Sequence, residues 1–129
     1  MPLVNEVDVG ARILDPGLKQ LVRDLTSAAN GLTALAGGGQ ANAAVLTAQV
    51  NRVTTVATAA DSVKLPPAKP GQWPLVVINA AAANSMNVFP SSGDAINAVA
   101  ADGAFAVAAN KTVLFFCAVA GIWNAITTA

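Results

Sequence analysis

The chain has 129 residues, the size of one ordinary domain with a single core. Only 11% of them are charged, seven basic residues offset seven acidic ones, and histidine is absent. This balance excludes a strong electrostatic grip on DNA or RNA and removes the commonest ligand of zinc and transition-metal sites. It also leaves a surface so poor in charge that cover by neighbouring subunits is expected.

The opening residues, MPLVNEVDVG, carry Glu6 and Asp8 where a secretory signal has a basic start and an unbroken apolar core, so no export signal is expected. Residues 1–14 place Leu3, Val4, Val7, Val9, Ile13 and Leu14 without helical spacing, while Val7 and Val9 alternate with polar neighbours. That pattern reads as an extended N-terminal arm. Asp15 followed by Pro16 is a helix start, since aspartate can cap free backbone N–H groups and proline at the first helical position needs no partner. Behind it Leu18, Leu21, Val22, Leu25, Ala28, Ala29 and Leu32 follow the i, i+3, i+4 rule, and Gly31 suits a left-handed cap. An amphipathic helix is therefore expected over 15–32, its stripe packing on its own domain, on sister helices or on a partner. Residues 33–49 are rich in Ala, Gly, Thr, Gln and Asn and include Gly37-Gly38-Gly39, which reads as a flexible linker.

From residue 50 the pattern changes to short β-prone runs separated by turn residues: RVTTVAT, SVKL, LVVINA, MNVF, DAINAV, AFAVA, TVLFFCAV and IWNAIT. So many strands in so short a stretch predict a mainly β domain over 50–129, a compact antiparallel β-sandwich or barrel of jelly-roll kind. Pro66-Pro67 and Pro70-Gly71 cannot continue a ladder, so PPAKPGQ is a connection over the surface. Asn110-Lys111 suits a tight hairpin, and Ala120-Gly121 the last turn. Val113 to Val119 is apolar on both faces and calls for cover on both sides. Extended to Trp123, this run still falls short of the roughly 20 residues that span a bilayer, so no membrane association is expected.

Candidate chemistry is sparse. Ser91 or Ser92 in NVFPSSGDAIN would need a base, and without histidine Lys111 is the nearest lysine in sequence. A loop in which Asp94 bonds local backbone N–H groups explains the same residues. Asp94 and Asp102 lack the base, metal or binding group that would make them a hydrolytic pair, and GGGQAN lacks the lysine of a phosphate loop. Trp73 and Trp123 suit packing in a core or subunit interface better than stacking on a sugar. Cys117, within VLFFCAV, reads as a small core residue. No enzymatic activity and no cofactor are expected.

The segments LTAQVNRVTTVATAADSVKLPPA, LVVINA, NVFPSSGDAIN and FAVAANKTVLFFCAVAGIWNAI, taken in order over about residues 46–127, resemble a β-domain that recurs in structural proteins of tailed bacteriophages. These include capsid decoration (cement) proteins, head fibres and tail-associated proteins. The pattern differs at Ala98 and Asn110, where glycine is usual, and residues 1–45 fall outside it. The resemblance implies a virion protein on the capsid surface, a homotrimer that binds the major capsid protein lattice and stabilises the head. Leu3, Val4, Val7 and Val9 of the arm, with Leu18, Leu21, Val22 and Leu25 of the helix, are the candidate contacts to capsid or sister subunit. The alternative is a head-fibre or tail-associated adhesion domain that binds a host surface glycan through Trp73, Trp123 or loop asparagines.

Overall fold

The computed structural model describes residues 27–37 and 39–129. Ten strands follow in order: β1 (Ala28–Thr33), β2 (Ala44–Val45), β3 (Val50–Thr55), β4 (Ser62–Lys64), β5 (Leu75–Asn79), β6 (Met86–Phe89), β7 (Ala95–Ile96), β8 (Phe105–Val107), β9 (Lys111–Val119) and β10 (Ile122–Thr127). All eight runs expected after residue 50 hold a strand.

Their arrangement corrects the expected fold. The chain is a parallel β-solenoid of about four turns, not an antiparallel sandwich or barrel. Strands alternate between two sheets as the chain winds: β1, β3 and β5 lie parallel and adjacent in one, β2, β4 and β6 in the other. Equivalent residues stack from coil to coil, Ala28 on Val50 on Val76 in the first sheet and Ala44 on Val63 on Val88 in the second. Among the named strands the antiparallel pairs lie toward the C-terminal end, with β8 against β6, β9 against β5, and β10 folded back on β9, while β10 also pairs parallel with β7. The period-2 alternation that locates a strand carries no information about its direction, which is why strand positions held and topology did not.

Two further expectations change. Of the helix expected over 15–32, residues 15–26 lie outside the described residues, as does the arm 1–14; Ala28–Thr33 is strand β1, its backbone paired with β3. Gly31 takes φ 75° inside that strand, where the register shifts, so it makes a bulge instead of a helix cap. The described residues of the stretch 33–49, expected as a linker, form the rest of the first coil. Ala34, Ala43, Leu46 and Ala48 are buried there, and the Leu46 amide donates to the Lys64 carbonyl of the next coil at 2.9 Å. Small side chains suit a narrow interior, so the alanine content that suggested low complexity fills a core. The β-fold thus includes β1 and β2, ahead of residue 50. Between β8 and β9, Asn110 does adopt φ 60°, but the two strands belong to different sheets, so it turns a corner and not a hairpin.

The interior is a column of Val53, Val63, Val77, Val88, Val107 and Val113 joined by Met86 and Ile96, all fully buried. Aromatic rings close its C-terminal part: Phe115 meets Phe105 edge-to-face at 6.0 Å and Trp123 likewise at 6.3 Å. Such contacts add about 0.5–1.5 kcal/mol each beyond area burial. Cys117 is buried, as its sequence context predicts.

Polar side chains near the corners satisfy backbone groups that the ladders leave free. Asn51 gives its amide protons to the carbonyls of Ala48 at 2.7 Å and Val76 at 3.3 Å. Asn84 does the same for Val56 at 2.8 Å and Ala57 at 3.1 Å. Buried Asp61 accepts from the Thr58 amide at 3.0 Å. Among the described residues no buried side-chain nitrogen or oxygen lacks a partner.

Candidate functional site

The long corner between β4 and β5 shapes the main surface feature. Pro66, Pro67 and Pro70 cannot donate to a ladder, so the chain leaves the second sheet after Leu65 and rejoins the first only at Leu75. The excursion is pinned along its length. The Ala68 amide donates to Asp94 Oδ2 at 2.8 Å, the Ala68 carbonyl accepts from Gly121 at 3.1 Å, and the Gly71 amide donates to the Cys117 carbonyl at 3.0 Å. Trp123, fully buried, donates its indole N–H to the Pro66 carbonyl at 3.3 Å. Lys69 N donates to Gln72 Oε1 at 2.8 Å and tightens the turn that carries Trp73.

With the corner held this way, Trp73 stands 61% exposed beside a groove of about 590 Å³. One wall is the corner of the first coil, from Val45 to Gln49. The other is Lys64 to Pro67 with Gln72, Trp73 and Leu75, and Ser91 also lines the groove. The lining is mainly apolar, and Val45 is itself 60% exposed. Among the described residues Lys64 is the one charged residue in the wall.

The NVFPSSGDAIN stretch is a braced turn. Asp94 N donates to the Ser91 carbonyl at 2.9 Å, with Gly93 at φ 84° between them. Asp102 Oδ1 accepts from the Gly93 amide at 2.7 Å and from Gln40 Nε2 at 2.9 Å. Gln40 also donates to the Pro90 carbonyl at 2.7 Å, which ties the first coil to the third. The Gly93 and Gln40 bonds hold the Asp102 carboxyl below the usual aspartate range. Asp94 acts at longer range than its local sequence suggests, since its side chain anchors Ala68 in the proline corner.

The structure brings some sequence candidates together and separates others. Ser91 reaches the groove, while Ser92 is exposed elsewhere. Lys111 pairs in register with Asn79, at the end of β5 opposite to groove-lining Leu75, so it is not placed beside either serine. Trp73 and Trp123, alike in sequence, divide into one exposed and one buried ring. Leu3, Val4, Val7, Val9, Leu18, Leu21, Val22 and Leu25 lie outside the described residues. Val45, Gln49 and Lys64 gave no sequence signal, because only coil stacking sets them opposite Trp73.

Among the described residues no group of three or more His, Cys, Asp or Glu could hold a metal ion, and no helix is long and apolar enough to cross a membrane. Comparison with protein-family models, curated proteins and solved structures gives no match to this chain in any of the three.

Proposed function

We propose that the chain is a structural protein of a tailed-bacteriophage virion, a capsid decoration protein that sits on the capsid surface as a trimer, binds the major capsid protein lattice and stabilises the head. The motif order over about residues 46–127 supports this reading, and one structural observation carries it. The outer face of the β9–β10 hairpin is apolar and open: Phe116 is 36% exposed, Ile122 38%, Val119 59% and Ile126 62%. A soluble chain with 11% charged residues keeps such a patch at a cost in solubility unless another protein covers it. A repeated lattice site lets modest contacts of this kind add through multivalency. The test compares capsids with and without the protein under heat or chelator. Greater resistance in the decorated capsids is expected, and equal resistance removes the role.

The adhesion alternative keeps one of its two aromatic platforms. Trp123 is buried and engaged with Pro66, whereas Trp73 presents its ring to solvent. A sugar site needs several polar groups converging on an aromatic face. The groove beside Trp73 is mainly apolar, and its Gln72 already accepts from Lys69. That chemistry suits an apolar chain segment better than a sugar ring.

A further inference from the structure

We infer that the groove beside Trp73 is a receptor for an extended peptide segment with alternating apolar and acidic side chains, and that residues Leu3 to Val9 of the same chain are its occupant. This inference does not depend on the capsid reading. Three observations converge on it.

The first is the shape and chemistry of the groove. Two chain corners, Val45 to Gln49 and Lys64 to Pro67, run side by side in neighbouring coils, with the Trp73 indole beside them. A trough of about 590 Å³ lined by Val45, Leu46, Pro66, Pro67 and an open indole takes several apolar side chains in a row. Aromatic and proline surfaces of this kind recur where extended peptides dock.

The second is charge. Among the described residues Lys64 is the one charged group of the wall, so a segment bearing carboxylates beside its apolar side chains is favoured over a basic one. In the sequence LVNEVDV, Leu3, Val7 and Val9 share one parity with Asn5, while Glu6 and Asp8 share the other with Val4. An extended chain with that alternation offers three apolar side chains on one side and two carboxylates on the other.

The third is where the chain enters. The Ser27 carbonyl accepts from the amides of Gln49 and Val50, both at 3.1 Å, and Gln49 is part of the groove wall. Ser27, the residue to which 1–26 are covalently joined, therefore lies at the groove's own edge. At roughly 3.3 Å per residue, a tether of residues 10–26 has a reach on the order of 50 Å, so Leu3 to Val9 can return to this groove. Covalent connection within one chain raises the effective concentration of the segment, which lets a weak contact close.

The experiment reads acrylamide quenching of Trp73 in the full chain, with Trp73→Phe as the blank for the buried Trp123 and circular dichroism as the folding control. Val7→Asp with Val9→Asp should raise the quenching constant roughly threefold, because a carboxylate cannot stay in an apolar groove without a partner. A synthetic peptide of residues 2–10 added to that variant should restore protection, and a scrambled peptide should not. Lys64→Glu should expose Trp73 in the same way, and adding Glu6→Lys with Asp8→Lys should reverse it. Equal quenching in wild type and the valine variant overturns the inference. Protection that disappears on dilution to monomer shows exchange between copies and overturns the same-chain assignment. Protection gained by the valine variant from a free saccharide but not from the peptide makes the groove a glycan site instead.

Discussion

Asn79 gives an amide proton to the Val107 carbonyl at 2.9 Å, which joins the end of β5 in one sheet to the end of β8 in the other. The same amide donates to Asn84 O at 3.0 Å, and Asn79 Oδ1 accepts from the Ala81 amide at 3.1 Å. Asn79 is fully buried. Asn79→Ala leaves these backbone groups short of partners, at about 1–3 kcal/mol for each one left unsatisfied. A clear fall in the urea midpoint is expected. Asn84→Ala, nearer to solvent, should lower it less, and equal midpoints for wild type and Asn79→Ala would show that water replaces the side chain.

Phe115 stands between Phe105 and Trp123 and is fully buried. Removing it opens a cavity beside two rings that rely on it for edge contacts, so Phe115→Ala should destabilise by about 3–5 kcal/mol. Phe115→Leu keeps most of the volume and should cost clearly less. Trp123 emission reports the same change, moving to longer wavelength in the alanine variant as water reaches the ring. An unshifted spectrum would mean that the neighbours collapse into the space.

Much of this fold is legible in the sequence and its winding is not, for a reason visible at particular residues. Ser62-Val63-Lys64 stacks on Asn87-Val88-Phe89, and Val50 to Val53 stacks on Val76 to Asn79. A similar phrase, a short β-run with a proline just beyond it in SVKLP and NVFP, therefore recurs after roughly 25 residues, the kind of period that marks a solenoid. Read one strand at a time, these runs look like members of any β-sheet; compared at that spacing they show coils. Ala28 to Leu32 misled in a different way, because alanine and leucine at helical spacing satisfy a helix rule while pairing with β3 decides the conformation. The groove was half legible: the proline corner and Trp73 stand out, but Val45 and Lys64 join them only through the stacking of coils.

Ala60 adopts φ 75° in the turn before β4, a left-handed conformation that costs an L-residue roughly 1–2 kcal/mol. Ala60 is exposed, and its amide donates to Ser85 O at 2.9 Å. Glycine relieves the strain and keeps that bond, but loses about 0.5–1 kcal/mol to the greater freedom of the unfolded chain. Ala60→Gly should therefore raise stability by up to about 1 kcal/mol, read as a higher thermal midpoint. A lower midpoint would mean that the methyl group makes a contact worth more than the strain.

Acid should loosen the brace around Asp102. Its folded carboxyl titrates below 3.8, chiefly through the Gly93 amide and then Gln40. A depressed carboxyl contributes stability that is present above the unfolded value and is lost as pH falls through the folded one. The contribution is modest and salt-sensitive because the group is exposed. Asp102→Asn keeps an acceptor oxygen and tolerates the φ of 63° at this position, so it removes the charge alone. Its urea midpoint, followed from neutral pH down past 3.8, should fall less steeply than that of the wild type; parallel curves would show that other carboxyls control acid stability.

The outer face of the last hairpin provides the sharpest test of assembly. Leu114 lies opposite Ile126, Phe116 opposite Asn124 and Val119 opposite Ile122, so the exposed apolar side chains form one continuous strip across two strands. Val76 of β5 extends it through its pairing with Leu114. Because Phe116 and Ile126 already face solvent, Phe116→Glu with Ile126→Lys should change the stability of a single chain by no more than about 0.5 kcal/mol per site. The pair places opposite charges on neighbouring strands, which limits repulsion within the sheet. If this strip is covered by a sister subunit or the capsid, those charges must be buried on association and the complex weakens strongly. Light scattering should then give a smaller particle mass for the double variant, or co-sedimentation with bare capsids should fail, while circular dichroism stays unchanged. Unaltered mass together with unaltered capsid binding would show that the strip remains in solvent and that assembly uses another face.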